Sequence, residues 1–242
     1  MLRGMMGKPA AKGVVAIIPA RGGSKGLPRK NLRVIGGQPL VAHSLLAGRR
    51  ASSVSATYLS TEDDEIAAVG EACGAIVIRR PAELASDTAQ NDAVVRHVLE
   101  VIRASGSNPE VAVLLQPTSP LRRPSDIDNC VALFLDKKPR TVVSVCPVDH
   151  HPGKAVTIRD GLLEPFTNDH DMEARRQDLP EVFRQNGAIY VVGVDDFLSN
   201  GRFYARPCLG YAMERRDSID IDDEFDLGLA DAVFQARSRA GG

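Results

Sequence analysis

The sequence predicts an α/β fold, with a Rossmann-like, mostly parallel sheet that carries helices on both faces. Three observations support this prediction. Strand-like and helix-like segments alternate over residues 14–148, as they do in consecutive β-α-β units. The run Val111–Leu115 is uninterrupted and apolar, which is typical of a central parallel strand. The chain has 242 residues, of which 43% are hydrophobic, and this is enough for one large domain.

The first elements establish the alternation. Val14–Pro19 is apolar and β-branched, which favours a buried strand. Apolar residues recur at helical spacing over Pro39–Arg50, and a second strand is predicted at Ala56–Ser60. The helix predicted over Asp63–Cys73 has acidic residues in its first turn and Gly74 just after its end.

The alternation then continues to about residue 148. Asp87 or Thr88 is the expected N-cap of a helix that runs to about Ala104, with one apolar face between Val94 and Ile102. The other predicted elements are strands at Ala75–Ile78, Val111–Leu115 and Thr141–Val148 and a helix around Asp126–Asp136.

Residues 146–184 interrupt this order and are predicted to form an insert. Val156–Ile158 and Leu162–Leu163 flank Asp160-Gly161 and predict a short hairpin. Residues 166–184 are polar and irregular, so we expect the insert to pack on another subunit. A strand at Gly187–Val194 and a final helix at about Glu224–Arg239 complete a single domain over 13–242, and residues 1–12 are predicted to be disordered.

Composition excludes several function classes. The formal net charge of −1 does not suggest a nucleic-acid partner. No apolar run approaches the roughly 20 residues of a membrane helix, so no membrane partner is expected. The four cysteines are widely spaced, which disfavours both a zinc site and a disulfide framework. We therefore predict a cytoplasmic protein.

The most informative segment is a basic, glycine-containing loop over residues 19–31. It holds Arg21, Lys25, Arg29 and Lys30, and no acidic residue precedes Glu62 in the chain. Free backbone amides and cations in a loop that follows a buried strand suit a phosphate chain. The loop matches neither the Walker A pattern nor the dinucleotide fingerprint. The alternative is a surface turn with solvated charges.

An acidic segment lies near the other end of the chain. Residues 214–231 contain eight Asp or Glu and two Arg, whereas the first fifty residues contain ten Lys or Arg and no acid. On a strand, Asp220 and Asp222 would project to the same face, and two such carboxylates suit Mg²⁺. The alternative is a strand end followed by acidic residues that stabilise the amino end of the last helix.

Further polar candidates follow the predicted strands. The rigid segment Gln116–Arg122 comes directly after the fourth strand, at the edge where ligands bind in such sheets. Its alternative is a rigid turn with Arg122 on the surface. Lys154 and the arginines of the insert suit an anionic substrate or, alternatively, lie in solvent. The amides and phenol of Gln185–Tyr190 suit a hydroxylated ligand.

These motifs together resemble the bacterial CMP-sialic acid synthetases, or N-acylneuraminate cytidylyltransferases. The pattern A-R-x-G-S-K-G-x-P-x-K-N corresponds to Ala20–Asn31, and the matches extend in order from residue 14 to about 228. The other matching segments are Arg80–Ala85, Leu115–Arg122, Val142–Pro152, Arg184–Tyr190 and Asp217–Asp222.

The resemblance implies a nucleotide-diphospho-sugar transferase fold and a reaction of CTP with a nine-carbon 2-keto sugar acid, giving the CMP-sugar and pyrophosphate. N-acetylneuraminate is the expected sugar acid, and legionaminic, pseudaminic or a related acid is the alternative. Arg21, Lys25, Asp220 and Asp222 would be catalytic, and the two aspartates would hold Mg²⁺. The implied nucleotide-binding residues are Ala20, Arg21, Gly22, Ser24, Lys25, Lys30, Asn31, Arg80 and Asp87. The implied substrate-binding residues are Gln116, Lys154, Arg176, Arg184, Asn186 and Tyr190, with Arg175 as the alternative to Arg176. The resemblance also implies a homodimer formed through the insert at 146–184, with Lys154 or the arginines supplied by the second subunit.

Two other function classes stay open at this point. A phosphotransferase would move the γ-phosphate and leave a nucleoside diphosphate. A sugar-nucleotide binding protein would bind CTP without turnover and would tolerate the loss of both metal carboxylates. Release of pyrophosphate distinguishes the predicted reaction from both.

Overall fold

The computed structural model describes residues 13–24, 26–86, 90–167 and 172–240. The predicted disorder of residues 1–12 and the predicted roles of Lys25 and Asp87 therefore lie outside the described residues, as does the side chain of Arg176. The helices are α1 (Leu40–Arg50), α2 (Asp64–Ala72), α3 (Asn91–Ala104), α4 (Pro124–Lys137), α5 (Val194–Asn200) and α6 (Glu224–Ala240). The strands are β1 (Val14–Pro19), β2 (Val34–Ile35), β3 (Gln38–Pro39), β4 (Val54–Thr61), β5 (Ile76–Arg79), β6 (Val111–Leu114), β7 (Thr141–Pro147), β8 (Val156–Arg159), β9 (Leu162–Pro165), β10 (Phe183–Gly193) and β11 (Cys208–Ala212).

Seven of these strands form the main sheet, in the order β11-β7-β10-β6-β1-β4-β5. Every neighbouring pair is parallel except those that involve β10, which runs antiparallel to β6 and to β7. The predicted mostly parallel α/β fold is confirmed. The carboxyl ends of β1, β4, β5, β6, β7 and β11 and the amino end of β10 therefore lie at one edge of the sheet.

The alternation of β1 shows why both faces carry helices. Ala16 and Ile18 join a buried cluster that contains residues of α1, α2 and α4. Val15 and Ile17 point the other way, into a cluster with residues of α3 and α5. A strand buried on both faces must be apolar throughout, as β1 is.

A third buried cluster packs α6 against the segments that follow the strands at this edge of the sheet. It contains Leu27 from the basic loop, Leu121 from the loop after β6, Ile221 from the acidic segment, and Leu227 and Ala230 from α6. Segments far apart in the sequence are thereby held together by apolar contacts.

Several sequence predictions need correction. Helix α3 begins at Asn91. Its N-cap is Gln90, whose backbone is extended (φ −84°, ψ 151°), rather than the expected Asp87 or Thr88. Residues 218–222 are not in a strand: a short 3-10 helix, Arg215–Asp217, precedes an irregular segment. The strand premise for the acidic pair was therefore wrong.

The second half of the sheet was less predictable than the first. Strand β10 starts at Phe183 rather than Gly187, since Arg184 and Gln185 pair with β7 although both are polar. Helix α5 and the edge strand β11 were not predicted. The excursion from the main sheet covers 148–182 rather than 146–184, because Cys146 and Pro147 pair with Arg184 and Phe183.

Candidate active site

A cavity of about 260 Å³ opens at the carboxyl edge of the sheet. It lies where β1, β5 and β6 end, as expected for a parallel sheet. Its walls combine the basic loop with the segment after β6 and the start of α3. The lining residues are Pro19, Arg21, Gly23, Ser24, Lys30, Asn31, Arg80, Ser86, Asn91, Val94, Gln116, Pro117 and Thr118.

The described part of the basic loop is anchored by hydrogen bonds that involve its backbone. The Ala20 amide donates to the carbonyl of Ser60 (3.0 Å), which continues the pairing of β1 with β4. The Gly22 amide donates to Glu62 Oε1 (2.7 Å). Asn31 Nδ2 donates to the carbonyl of Arg21 (2.9 Å), which ties the two ends of the loop together. The alternative of a solvated surface turn does not fit these contacts.

The basic loop meets the acidic segment directly. Lys30 Nζ donates to the carbonyl of Ile221 (2.7 Å) and lies 3.1 Å from Asp222 Oδ1. A Cβ atom at Gly26 would stand 2.6 Å from the carbonyl oxygen of Asp222, so only glycine permits this approach. The basic loop and the acidic segment are therefore in direct contact beside the cavity, although neither Asp220 nor Asp222 lines it.

Asp220 and Asp222 differ in environment. Asp220 is half-buried, and its Oδ1 atom is buried without a hydrogen-bond partner among the described residues. Burial, reinforced by the negative charge of Asp222, raises the pKa of Asp220 although Thr118, Lys30 and Arg184 act in the opposite direction. The side chain of Asp222 is 81% exposed. An unsatisfied carboxylate oxygen beside an exposed carboxylate is a donor set that fits Mg²⁺.

The loop after β6 faces Asp220 across Gly187. A Cβ atom at Gly187 would lie 2.8 Å from Gln116 Oε1, 3.2 Å from Ser119 Oγ and 3.3 Å from Asp220 Oδ2. Gly187 has φ +71°, which favours glycine. The left-handed conformation and the crowded polar surroundings both favour glycine at this position, where Gln116 comes close to Asp220.

Arg80 forms part of the cavity wall from β5. Its guanidinium donates to the carbonyl of Ser60 (2.9 Å) and to Ser60 Oγ (3.3 Å), and the residue is 8% exposed. Burial lowers the pKa of Arg80, while Glu62 favours its charged form. The cation is therefore held rigidly at the cavity.

The predicted substrate residues do not all lie at the cavity. Gln116 lines the cavity, whereas Tyr190 does not, and burial together with the charge of Asp220 raises the pKa of its phenol. Arg184 is exposed, with Nη2 3.4 Å from the carbonyl of Ser218. Lys154 donates to the carbonyl of Met172 within the insert and does not line the cavity.

Asn186 and Arg175 are engaged with the protein itself. Asn186 is fully buried: its Nδ2 donates to Ser218 Oγ (2.8 Å), and its Oδ1 accepts from Ser144 Oγ (2.6 Å). Arg175 is exposed and pairs with Asp178 (2.8 Å). The structure thus gives Asn186 a supporting position behind the site.

Sequence reasoning missed Glu62, Ser86, Asn91 and Val94. Asn91 and Val94 are three residues apart at the start of α3, and therefore share one helix face at the cavity. The apolar spacing of α3 signalled a buried face, but nothing in the pattern indicated that its first turn contacts a cavity. One interpretation of the sequence placed Arg122 on the surface, but the residue is buried, with only 4% exposure.

Comparison with known proteins identifies the family. The profile of the family described as cytidylyltransferase matches residues 15–220. The chain belongs to the cytidylyltransferase family. This membership agrees with the resemblance to CMP-sialic acid synthetases found in the motifs.

Two curated relatives have the same sequence identity to this chain, 32%. It is 32% identical over 227 residues to the N-acylneuraminate cytidylyltransferase of Escherichia coli O18:K1:H7, covering 93% of this chain and 53% of that protein. It is 32% identical over 231 residues to the CMP-N,N'-diacetyllegionaminic acid synthase of Legionella pneumophila, covering 94% and 98%. The chain thus spans about half the length of the first relative and nearly all of the second.

Among solved structures, the chain resembles CMP:2-keto-3-deoxy-manno-octonic acid synthetase complexed with CTP. The TM-score is 0.70 at 16% identity, with 93% of this chain and 100% of the other covered. A 4-diphosphocytidyl-2C-methyl-D-erythritol synthase from Anaerococcus prevotii gives 0.63 at 14% identity, covering 93% and 96%. At these identities, the likeness supports the fold. No described helix is long and apolar enough to cross a membrane.

Proposed function

We propose that this chain is a cytidylyltransferase that activates a nine-carbon 2-keto sugar acid with CTP, giving the CMP-sugar and pyrophosphate. One observation carries the proposal: Lys30, which lines the cavity from the basic loop, lies 3.1 Å from Asp222, two residues after the unsatisfied carboxylate of Asp220. A triphosphate needs cations on one side and a divalent metal on the other, and this arrangement provides residues for both.

In the proposed mechanism, the chain's own residues mainly bind and align. The oxygen of the anomeric hydroxyl of the sugar acid attacks the α-phosphorus of CTP while its proton passes to water. The bond between the α-phosphorus and the bridging oxygen breaks, and pyrophosphate leaves with the electron pair. Arg21, Lys25 and Lys30 neutralise the phosphate oxygens, and Ser24 and Asn31 complete the loop around them. Arg80 belongs to the nucleotide side, with Asp87 proposed nearby. Alignment of this kind accounts for much of the rate in phosphoryl transfer.

Asp220 and Asp222 are the residues proposed to hold Mg²⁺. They fit the ion because Asp220 presents an oxygen that no described group satisfies and Asp222 is accessible. When bound, such an ion would stabilise negative charge on the triphosphate oxygens. Lys30 compensates part of the negative charge of Asp222, so a bound ion would compete with the ammonium group for this carboxylate.

Gln116 and Tyr190 are proposed to contact the sugar acid from the side of the cavity near Asp220. The exposed Arg184 is proposed to contact its carboxylate. Lys154 and Arg176 belong to the insert and are proposed to reach the site of a partner subunit. Asn186 is proposed to act on substrate binding indirectly, by fixing the backbone next to Gly187, since its Oδ1 accepts from the Ala188 amide (3.2 Å).

The proposed homodimer is formed through the insert. The β8–β9 hairpin leaves large apolar side chains in solvent: Ile158 is 74% exposed, Leu162 and Leu163 are each 69% exposed, and Phe166 is 66% exposed. Such a patch on an excursion from the sheet favours a protein contact. The four unpaired cysteines suit the proposed cytoplasmic location.

The test is a product analysis with the whole chain, CTP, N-acetylneuraminate and Mg²⁺. We expect equal amounts of CMP-sugar and pyrophosphate, with neither product when one substrate is omitted. Formation of CDP would indicate γ-phosphate transfer instead. Binding of CTP without any product from a panel of nine-carbon keto acids would indicate a binding protein.

A second candidate is the same reaction on legionaminic acid. The observation that favours it is the match to the Legionella synthase over 98% of that protein's length. Pseudaminic and related acids belong in the same panel. The ratio of kcat/KM values between N-acetylneuraminate and the legionaminate derivative decides between the two.

A further inference from the structure

Arg122 is a cation enclosed behind the candidate active site. It ends the loop after β6, is 4% exposed and does not line the cavity. Its Nη1 atom donates to Ser44 Oγ (2.6 Å) on α1, and its Nη2 atom donates to the carbonyl of Gln116. Its Nε atom is buried without a hydrogen-bond partner among the described residues. The guanidinium therefore connects a helix of the core to the backbone of a proposed substrate residue.

This arrangement is costly for a purely structural residue. Within the described part of the chain, no carboxylate lies within salt-bridge distance of Arg122. Burial lowers the pKa of Arg122 to about 9, although the more distant Asp220 and Asp126 favour its charge, so the side chain stays protonated at neutral pH. An apolar side chain would fill a core position at lower desolvation cost. The contacts with the loop after β6 offer a reason for a cation here.

The loop after β6 is held at separate points. The Gln116 carbonyl accepts from Arg122, from Ser44 Oγ (3.3 Å) and from the Ser119 amide (3.3 Å). Farther along, the Thr118 carbonyl accepts from the Ile221 amide (2.8 Å) independently of Arg122. Loss of Arg122 should therefore displace Gln116 more than the Thr118 wall of the cavity.

We infer that Arg122 is a positioning residue that fixes the backbone of Gln116 and thereby sets the affinity and orientation of the sugar acid. The inference rests on the proposed function, in which Gln116 contacts that substrate. Arg122 itself touches neither substrate. Its influence passes through the carbonyl of Gln116, whose side-chain oxygen lies close to Gly187 and on the same side as Asp220.

The test compares Arg122→Met, Arg122→Lys and Ser44→Ala with the unchanged chain. For Arg122→Met we expect the KM for N-acetylneuraminate, or for whichever nine-carbon keto acid the unchanged chain prefers, to rise roughly ten- to a hundredfold, with a fall in kcat. The KM for CTP should stay within about twofold. Arg122→Lys should be intermediate, because one ammonium cannot reproduce the planar fork. Arg140→Met, which removes an exposed arginine paired with Asp196 (2.7 Å), is the matched control and should change neither KM.

A structural role alone predicts a different result. If Arg122→Met lowers Tm and the fraction of active enzyme but leaves both KM values unchanged, or raises both equally, the inference is wrong. If the Arg122 variants do not fold, Ser44→Ala decides, because it removes one partner of Arg122 and one donor to Gln116. We then expect a several-fold rise in the KM for the sugar acid only, and an unchanged ratio of KM values refutes the inference. Absence of CMP-sugar with the unchanged chain would instead refute the proposed function itself.

Discussion

At the scale of single residues, the two aspartates of the proposed metal site have different surroundings. Asp220 is half-buried with an unsatisfied oxygen, whereas Asp222 is exposed and pairs with Lys30. The next residue, Asp223, has a different role, because its Oδ1 accepts from the Asp226 amide (3.0 Å) at the start of α6. The three carboxylates therefore offer a comparison within one short segment.

We expect Asp220→Asn and Asp222→Asn each to lower kcat/KM by about a hundredfold or more, because each removes a charged ligand of the ion that neutralises the triphosphate. The loss should be measured as pyrophosphate release across a Mg²⁺ titration. Asp223→Asn is the control, since asparagine also caps helices and activity should be retained. Full turnover by Asp222→Asn at low Mg²⁺ would remove Asp222 from the metal site.

Gly187 is the residue at which backbone conformation and the site coincide. Gly187→Ala introduces strain at φ +71° and a Cβ atom 2.8 Å from Gln116 Oε1. Gly106→Ala has similar strain at φ +87° but no atom within 4 Å of the new Cβ. Both should lose about 1–2 kcal/mol of unfolding free energy from the left-handed conformation.

Only Gly187→Ala should also lose activity, because its new methyl group displaces Gln116. Chemical denaturation and pyrophosphate release, measured on both variants, separate strain from displacement. Equal activity of the two variants would show that Gln116 and its neighbours can move aside without consequence for the reaction.

At the scale of elements, the β8–β9 hairpin stands out because several exposed apolar side chains lie together on it. It forms a separate two-stranded sheet, and Val156, Ile158, Leu162 and Leu163 are all largely exposed. An isolated two-stranded hairpin is marginally stable in water. A second copy of the chain would cover these side chains.

We expect Ile158→Asp to convert the proposed dimer to a monomer, as measured by sedimentation velocity. Thr157→Asp, on the adjacent exposed position of the same strand, is the control for charge and should leave the dimer largely intact. If the insert reaches a partner's site, the activity of Ile158→Asp should fall together with the dimer fraction and recover at high protein concentration. A monomeric unchanged chain would contradict the proposal at once.

The elements also show how far sequence reasoning extends. Apolar periodicity located β1 at Val14–Pro19 and α1 to within one residue, because both are buried over most of their length. It missed β11, whose residues lie at the sheet edge and are only partly buried or exposed. It also missed the first residues of β10, where Arg184 and Gln185 satisfy the backbone of β7 while their polar side chains stay exposed. Pairing across a sheet leaves little trace in the polarity of such strands.

Sequence reasoning had a similar limit at the candidate site. Lys30 and Asp222 were predicted from charge, and the structure brings them together. Asn186 was expected at the substrate because it is polar, but its amide is consumed by Ser144 and Ser218. The type of a side chain indicates which contacts it can make, whereas the fold decides whether protein groups already make them.

At the scale of the whole molecule, the candidate site is assembled from segments that lie far apart in the sequence. Leu27, Leu121 and Ile221 share one buried cluster beneath it, and the Ile221 amide donates to the Thr118 carbonyl. The basic loop, the loop after β6 and the acidic segment are therefore linked by packing as well as by charge. A ligand that contacts one of them should affect the others.

This linkage predicts a pattern of hydrogen exchange. CTP with Mg²⁺ should slow exchange of the amides in residues 20–31, 116–122 and 217–222 together, because binding reduces local opening of all three segments. Removal of Mg²⁺ with a chelator should restore exchange mainly in 217–222, where the proposed metal ligands lie, while the basic loop keeps part of its protection from the triphosphate. Residues 208–212 of the edge strand β11 serve as the internal reference and should not respond. Protection confined to 20–31 under both conditions would mean that the acidic segment takes no part in binding the nucleotide, and the shared site proposed for Lys30 and Asp222 would have to be abandoned.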